Sequence, residues 1–257
     1  MRFTYTFLLI ASLFLAACTS TSTSQSDTNT VAGNPPAEGF DAAGSDPQAI
    51  ALADSAMDAM GGRANWDATR YIKWDFFGNR TLTWDKYDNR VRIEIPRDSM
   101  VILVNTNDVT GKVFQGSTEM THPDSLAKFL DRGRRIWIND SYWLVMPYKL
   151  KDSGVTLTYA GADTTQDGAA ADKLELRFKE VGVTPQNKYN VWVDKTSHLV
   201  TQWAYYANAD DPEPRFINPW LDYQTYGKII LSGDRGGRKL ENIAVFDQLP
   251  EAVFETR

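Results

Sequence analysis

The chain has 257 residues, with 27 Lys and Arg against 33 Asp and Glu, for a net charge of −6. That acidic balance argues against a general nucleic-acid binder, which needs a basic stripe, and a single cysteine excludes an intrachain disulfide. Eight Trp, eleven Tyr and twelve Phe can build a large core without covalent staples, or line a cavity.

The first segment reads as an export signal. Arg2 precedes a mostly apolar run, Phe7 to Ala17, too short to span a bilayer and suited to a secretory h-region. Leu15-Ala16-Ala17-Cys18 resembles a lipobox, the recognition sequence for bacterial lipoproteins. The resemblance implies that residues 1–17 are a signal peptide. It makes Cys18 the lipid-attachment residue, its thiol carrying a diacylglycerol and palmitate-type acyl chains. In enterobacteria an aspartate directly after that cysteine retains lipoproteins at the inner membrane. Thr19 stands there in this chain, which by the same resemblance implies a lipid-anchored protein of the cell envelope at the outer membrane.

Residues 18–46 are expected to be the lipidated cysteine and a flexible polar tether. The run Thr-Ser-Thr-Ser-Thr-Ser-Gln-Ser and then Gly33-Asn34-Pro35-Pro36 offers too few large apolar groups to offset its ordering entropy. Such a tether reaches roughly 30 Å. The folded domain is then expected over residues 47–257. A helix begins at Pro47, capped by Asp46, with Ile50, Ala53, Met57 and Met60 on one face and Gly61-Gly62 as its stop. Residues 63–68 are a connection or a short extra turn.

From Thr69 the period changes to two. Ile72, Trp74 and Phe76, then Leu82 and Trp84, then Val91, Ile93 and Ile95 alternate with polar residues, as antiparallel strands with one wet face do. Gly78-Asn79 and Asp88-Asn89 supply turns, and residues 100–105 and 112–115 are further strands. After His122-Pro123 comes a helical insertion ended by Pro147, one helix or two, with the basic cluster Arg132, Arg134 and Arg135. Strands resume after Gly154 over residues 155–159, 173–179, 189–194, 198–207, 221–231 and 239–246. The fold class expected from these periods is α+β, a strongly curved antiparallel sheet covered by helices.

Three stretches carry a resemblance to a known group. They are Met60-Gly61-Gly62 before the first strand, Trp143-Leu144-Val145-Met146-Pro147-Tyr148 closing the insertion, and Val191-Trp192-Val193-Asp194 followed by His198-Leu199-Val200. With the order of lipobox, tether, helix, strands, insertion and strands, the chain resembles the LolA/LolB-like group of periplasmic lipoprotein carriers and their relatives in Bacteroidetes-type bacteria. The resemblance implies an unclosed β-barrel with an apolar cavity for acyl chains, and a carrier that collects or inserts lipoproteins.

Trp74, Phe76, Trp84, Leu174, Leu176 and Phe178 are the expected cavity face, with Trp137, Trp143 and Met146 on the covering insertion. An ordinary filled core is the alternative for each. The loop Asn208–Pro219 presents Phe216 and Ile217, either as a membrane or client contact or folded back over a sheet edge. Catalytic and metal signatures are sparse. His122 and His198 stand far apart in sequence, Asp210-Asp211 reads as a solvated acidic loop, and Gly233-Asp234-Arg235-Gly236-Gly237 lacks the Lys and Ser/Thr of a phosphate loop. The expectation is a non-enzymatic monomer that needs no cofactor and no metal. Its partners are the membrane, through its N-terminal lipid, and lipid or lipoprotein acyl chains. A structural envelope lipoprotein is the alternative, and an envelope hydrolase a remoter one.

Overall fold

The computed structural model describes Met1, residues 33–179 and residues 184–257. Cys18, the signal segment and residues 18–32 of the expected tether lie outside the described residues. Helix α1 (Pro47–Ala59) starts with Pro47 in its first turn, where a missing N–H costs nothing. Asp46 precedes it but does not cap it with its side chain; its Oδ2 instead accepts from the backbone N–H of Tyr159. The face of α1 turned inward is Ala49, Ala53, Ala56 and Met57, with Ile50 half-buried rather than central. Gly61, at φ 107°, ends the turn so closely against the chain that a Cβ would lie 2.5 Å from the Lys228 carbonyl. A short helix α2 (Arg63–Ala68) follows.

Among the described residues fourteen strands come next in chain order, interrupted by α3. They are β1 (Tyr71–Phe76), β2 (Arg80–Asp85), β3 (Arg90–Ile95), β4 (Met100–Asn105), β5 (Gly111–Gln115) and β6 (Thr118–Glu119) before it. After it come β7 (Val155–Thr164), β8 (Ala170–Phe178), β9 (Lys188–Asp194), β10 (Val200–Tyr206), β11 (Phe216–Pro219), β12 (Leu221–Tyr226), β13 (Ile229–Asp234) and β14 (Leu240–Phe246). Helix α3 (Pro123–Val145) is one helix, continued by a single 3-10 turn over Met146–Lys149, and α4 (Ala252–Glu255) closes the chain.

Seven strands form one sheet in the order β14-β1-β2-β3-β4-β5-β6, five form a second in the order β11-β10-β9-β8-β7, and β12-β13 is a separate hairpin. Every strand pairing among the described residues is antiparallel. Bulges at Lys73/Asp75, Tyr159/Ala162 and Val200/Gln202 increase local twist. The result is an α+β fold of strongly curved, unclosed antiparallel sheets covered by helices. One core joins Trp74, Leu82 and Ile93 of the larger sheet to Leu174, Val191 and Trp203 of the smaller and to α1 and α3. Helix α3 approaches β4 at Gly133, where a Cβ would stand 2.7 Å from the Ile102 side chain.

Several expectations change in detail. The six-residue face expected on one sheet is divided between two: Trp74, Phe76 and Trp84 on β1 and β2, and Leu174, Leu176 and Phe178 on β8. A single strand over 221–231 is instead the β12-β13 hairpin, because Gly227 reverses the chain at φ 61°. Residues 33–46 of the expected tether belong instead to the folded unit, which begins at Gly33. Asp41 and Asp46 donate their N–H groups to the carbonyls of Val155 and Leu157, and Ala37 donates to Lys151. This segment covers the outer edge of β7, which would otherwise expose an unpaired ladder. Composition missed it because main-chain bonds and the polar side chains of Asn34, Asp41, Ser45 and Asp46 hold it down, with Phe40 as its one large apolar group on the core.

Candidate binding cleft between the long helix and the five-stranded sheet

A cleft of about 330 Å³ opens between α3 and the inward face of β8–β11. From α3 come Ile138, Asn139, Tyr142 and Trp143; from the sheet come Phe178, Tyr189, Trp203, Tyr205 and Phe216, with exposed Thr184 and buried Asn187 from the segment before β9. Period-two alternation places Tyr189, Trp203 and Phe216 on the same face, and a helical spacing of four and five brings Tyr142 and Trp143 over them from Ile138. Tyr189 and Trp203 stack at 5.3 Å with nearly parallel planes. Trp143 meets Trp203 edge-on at 4.8 Å and Phe216 at 5.4 Å.

Two polar atoms in this aromatic wall, Tyr142 Oη and Trp203 Nε1, are buried with no hydrogen-bond partner among the described residues. Burial holds the Tyr142 phenol well above its ordinary pKa, so it remains a neutral donor at physiological pH. Tyr189 is likewise raised, chiefly by burial.

A second chamber of about 320 Å³ adjoins the first and shares Ile138, Tyr142 and Phe178 with it. Its further lining is more polar, including Arg134, Trp137, Ser141, Lys149 and Asp152. Lys149 pairs with Asp152.

Of the nine cavity residues expected from sequence, Trp143 and Phe178 line the first chamber, and Trp137 and Phe178 the second. The other six do not line either. Trp74, Leu174, Leu176 and Met146 are completely buried, and Phe76 and Trp84 nearly so; their side chains fill the core, with no open space beside them in this cleft. Tyr142, Tyr189, Trp203 and Tyr205 were missed, although the alternation of 189, 191 and 193 and of 203 and 205 was a signal for their common face.

Phe216 and Ile217 are not a projecting tip. They form β11, paired with Tyr205 and Ala204 on the edge of the smaller sheet. Phe216 turns into the cleft, while Ile217 packs on the opposite face beside Ala171, Trp192 and Ala204. The three prolines around them hid a strand that needs only a few ladder bonds.

Asp210 is fully exposed, and Asp211 accepts bonds from Asn208 within the same loop, so the adjacent acids form a local turn. His122 stands at the start of α3 and His198 in the β9-β10 turn at φ 57°. Among the described residues no group of three His, Cys, Asp or Glu is placed to hold a metal ion, and no helix is long and apolar enough to cross a membrane.

No family model matches the chain, and no curated protein matches it. Solved structures similar to it over most of its length include two at low identity. A DUF1329 family protein from Desulfovibrio piger is 15% identical with a TM-score of 0.44, over 80% of this chain and 97% of that one. A LolA superfamily protein from Nitrosomonas europaea is 10% identical with a TM-score of 0.41, over 81% of this chain and 97% of that one.

Proposed function

We propose that this protein is a lipid-anchored, monomeric envelope protein that holds an acyl chain, free or belonging to a lipoprotein, in the cleft beneath α3. The observation that carries this reading is the aromatic chamber of about 330 Å³. Its size lies at the lower end of the roughly 300–1,000 Å³ found for small-molecule sites, which suits one chain rather than several. Five aromatic rings from sheet strands face Tyr142 and Trp143, an apolar lining with only a few polar atoms. Native mass spectrometry of the protein extracted from membranes should reveal a co-purifying lipid. Ile138, half-buried and common to both chambers, offers the control. In Ile138→Trp the added ring fills the cleft, so the lipid should be lost while the melting temperature changes little. An Ile138→Trp variant that retains full lipid occupancy would overturn the site.

The anchor is supported by Leu15-Ala16-Ala17-Cys18 alone. Radiolabelled palmitate should enter the wild type and disappear in Cys18→Ala; equal labelling of the two would remove the anchor from the reading. Attachment there, with Thr19 following, favours the outer membrane and a role in lipoprotein sorting.

A second reading has its own support. Complete burial of Trp74, Leu174, Leu176 and Met146 favours a solid-cored envelope lipoprotein that works by its surface. Protein that carries no lipid out of the membrane, in repeated preparations, selects this reading over the first.

A further inference from the structure

We infer that the ligand of this cleft is a single-chain amphiphile with an oxyanion head, a carboxylate or a phosphate, and that Arg134 receives the head. The inference rests on the acyl-binding reading above and adds the chemistry of the other end of the ligand. Three arginines lie close together on α3. Arg132 faces Asp98 at 3.4 Å and Arg135 pairs with Asp131 at 2.8 Å. Arg134 has no carboxylate partner among the described residues, is half-buried, and lines the second chamber.

Among the described residues that chamber holds two other charged groups, Lys149 and Asp152, and these pair with each other. The unbalanced charge in the chamber is therefore the Arg134 guanidinium. Trp137 stands three residues further along and Ser141 seven, the spacing of one helix face. Trp137 Nε1 and Tyr142 Oη are buried without partners among the described residues. A half-buried cation with two such hydrogen-bonding groups nearby is a setting that favours an anionic acceptor, and a guanidinium fork binds carboxylate or phosphate through paired bonds. Ile138, Tyr142 and Phe178 form the wall common to this polar chamber and the aromatic one. An amphiphile lying along that wall puts its head at Arg134 and its chain against Trp143, Tyr189 and Trp203.

The test titrates full-length protein, below micelle-forming concentrations, with palmitate, 1-palmitoyl lysophosphatidate and hexadecanol, reading the quenching of the cleft tryptophans. Anionic ligands should bind about tenfold more tightly than the alcohol, the size of one charge-assisted hydrogen bond. Arg134→Gln, at a half-exposed helix position, should keep the melting temperature and abolish that preference, while Arg134→Lys should restore part of it. A preference for only one of the two anions supports the inference and identifies the head. Hexadecanol binding as tightly as palmitate, or an anion preference that survives Arg134→Gln, overturns it and leaves the acyl-binding reading standing. Failure of all three to bind overturns that reading itself, and the inference with it.

Discussion

Replacing Arg235 with alanine should destabilise the protein by about 3–5 kcal/mol, read as a lower midpoint in urea unfolding. Arg235 is completely buried, yet no carboxylate side chain bonds to it among the described residues. Its Nε and Nη2 donate to the Trp143 carbonyl at 3.2 and 2.7 Å. Nη1 donates to Ser232 Oγ and the Asp234 carbonyl, and Nη2 also to the Ser232 carbonyl. The guanidinium lies 3.4 Å from the centre of the Trp220 ring, within the range of a strong cation–π contact. Burial draws its pKa down to about 9, which leaves it charged at neutral pH. Trp143 sits in the last turn of α3, where carbonyls lack intrahelical partners and the helix dipole favours a cation. Alanine would orphan several buried acceptors at roughly 1–3 kcal/mol each and empty the space under Trp220. Arg235→Lys should recover less than half of the loss, because one ammonium cannot reproduce the fork. A loss below about 1 kcal/mol in Arg235→Ala would mean that water takes over these bonds without cost. Trp143 also walls the cleft, so the same variant should weaken the lipid binding proposed for it.

Which parts of this arrangement could be read from the chain follows from where the determining forces act. β1 to β3 were legible because one wet face and one dry face impose alternation on each strand separately. β11 was not, since Phe216 and Ile217 pair with β10 between prolines that usually mark loops. Segment 33–46 escaped notice because its attachment is mostly through main-chain and polar side-chain bonds to distant parts of the chain, which composition does not record. In the cleft, Trp143 and Phe178 were legible as apolar groups on the correct elements. Arg134 was legible only as one of three basic residues. What separates it from Arg132 and Arg135 is that it has no carboxylate partner among the described residues and lines the second chamber, and the place in that lining depends on the third dimension. Arg235 is the extreme instance. Gly233 to Gly237 does form a turn, with Gly236 at φ 70° and Gly237 at φ 94°, but a turn arginine is normally solvated, and nothing local announces that this one points inward.

Asp140→Ala should cost about 3 kcal/mol, the lower end of the range for breaking a buried pair, because Arg80 retains some access to solvent. Asp140 lies completely buried in the last third of α3 and receives Arg80 of β2 through two bonds of 2.5 and 2.8 Å. Arg80 also lies over the Phe76 ring. Together with Arg235 at its C-terminal end, this pair fixes the part of α3 that carries Ile138, Tyr142 and Trp143, so the helix is a pinned wall of the cleft rather than a swinging cover. Asp140→Asn keeps the shape and one acceptor, and should lose less than alanine. Wild type and Asp140→Asn should also differ in their dependence on pH. Burial raises the Asp140 carboxyl above its ordinary value, with Arg80 pulling against it. A carboxyl raised in the folded state takes up its proton at higher pH than in the unfolded chain. Its contribution to stability is therefore complete below the unfolded value, near 4, and is lost as pH rises through the folded one. The margin of the wild type over Asp140→Asn should widen as pH falls through that window, measured by urea unfolding at a series of pH values. A margin that narrows on acidification would show that the Arg80 bonds outweigh burial at this site.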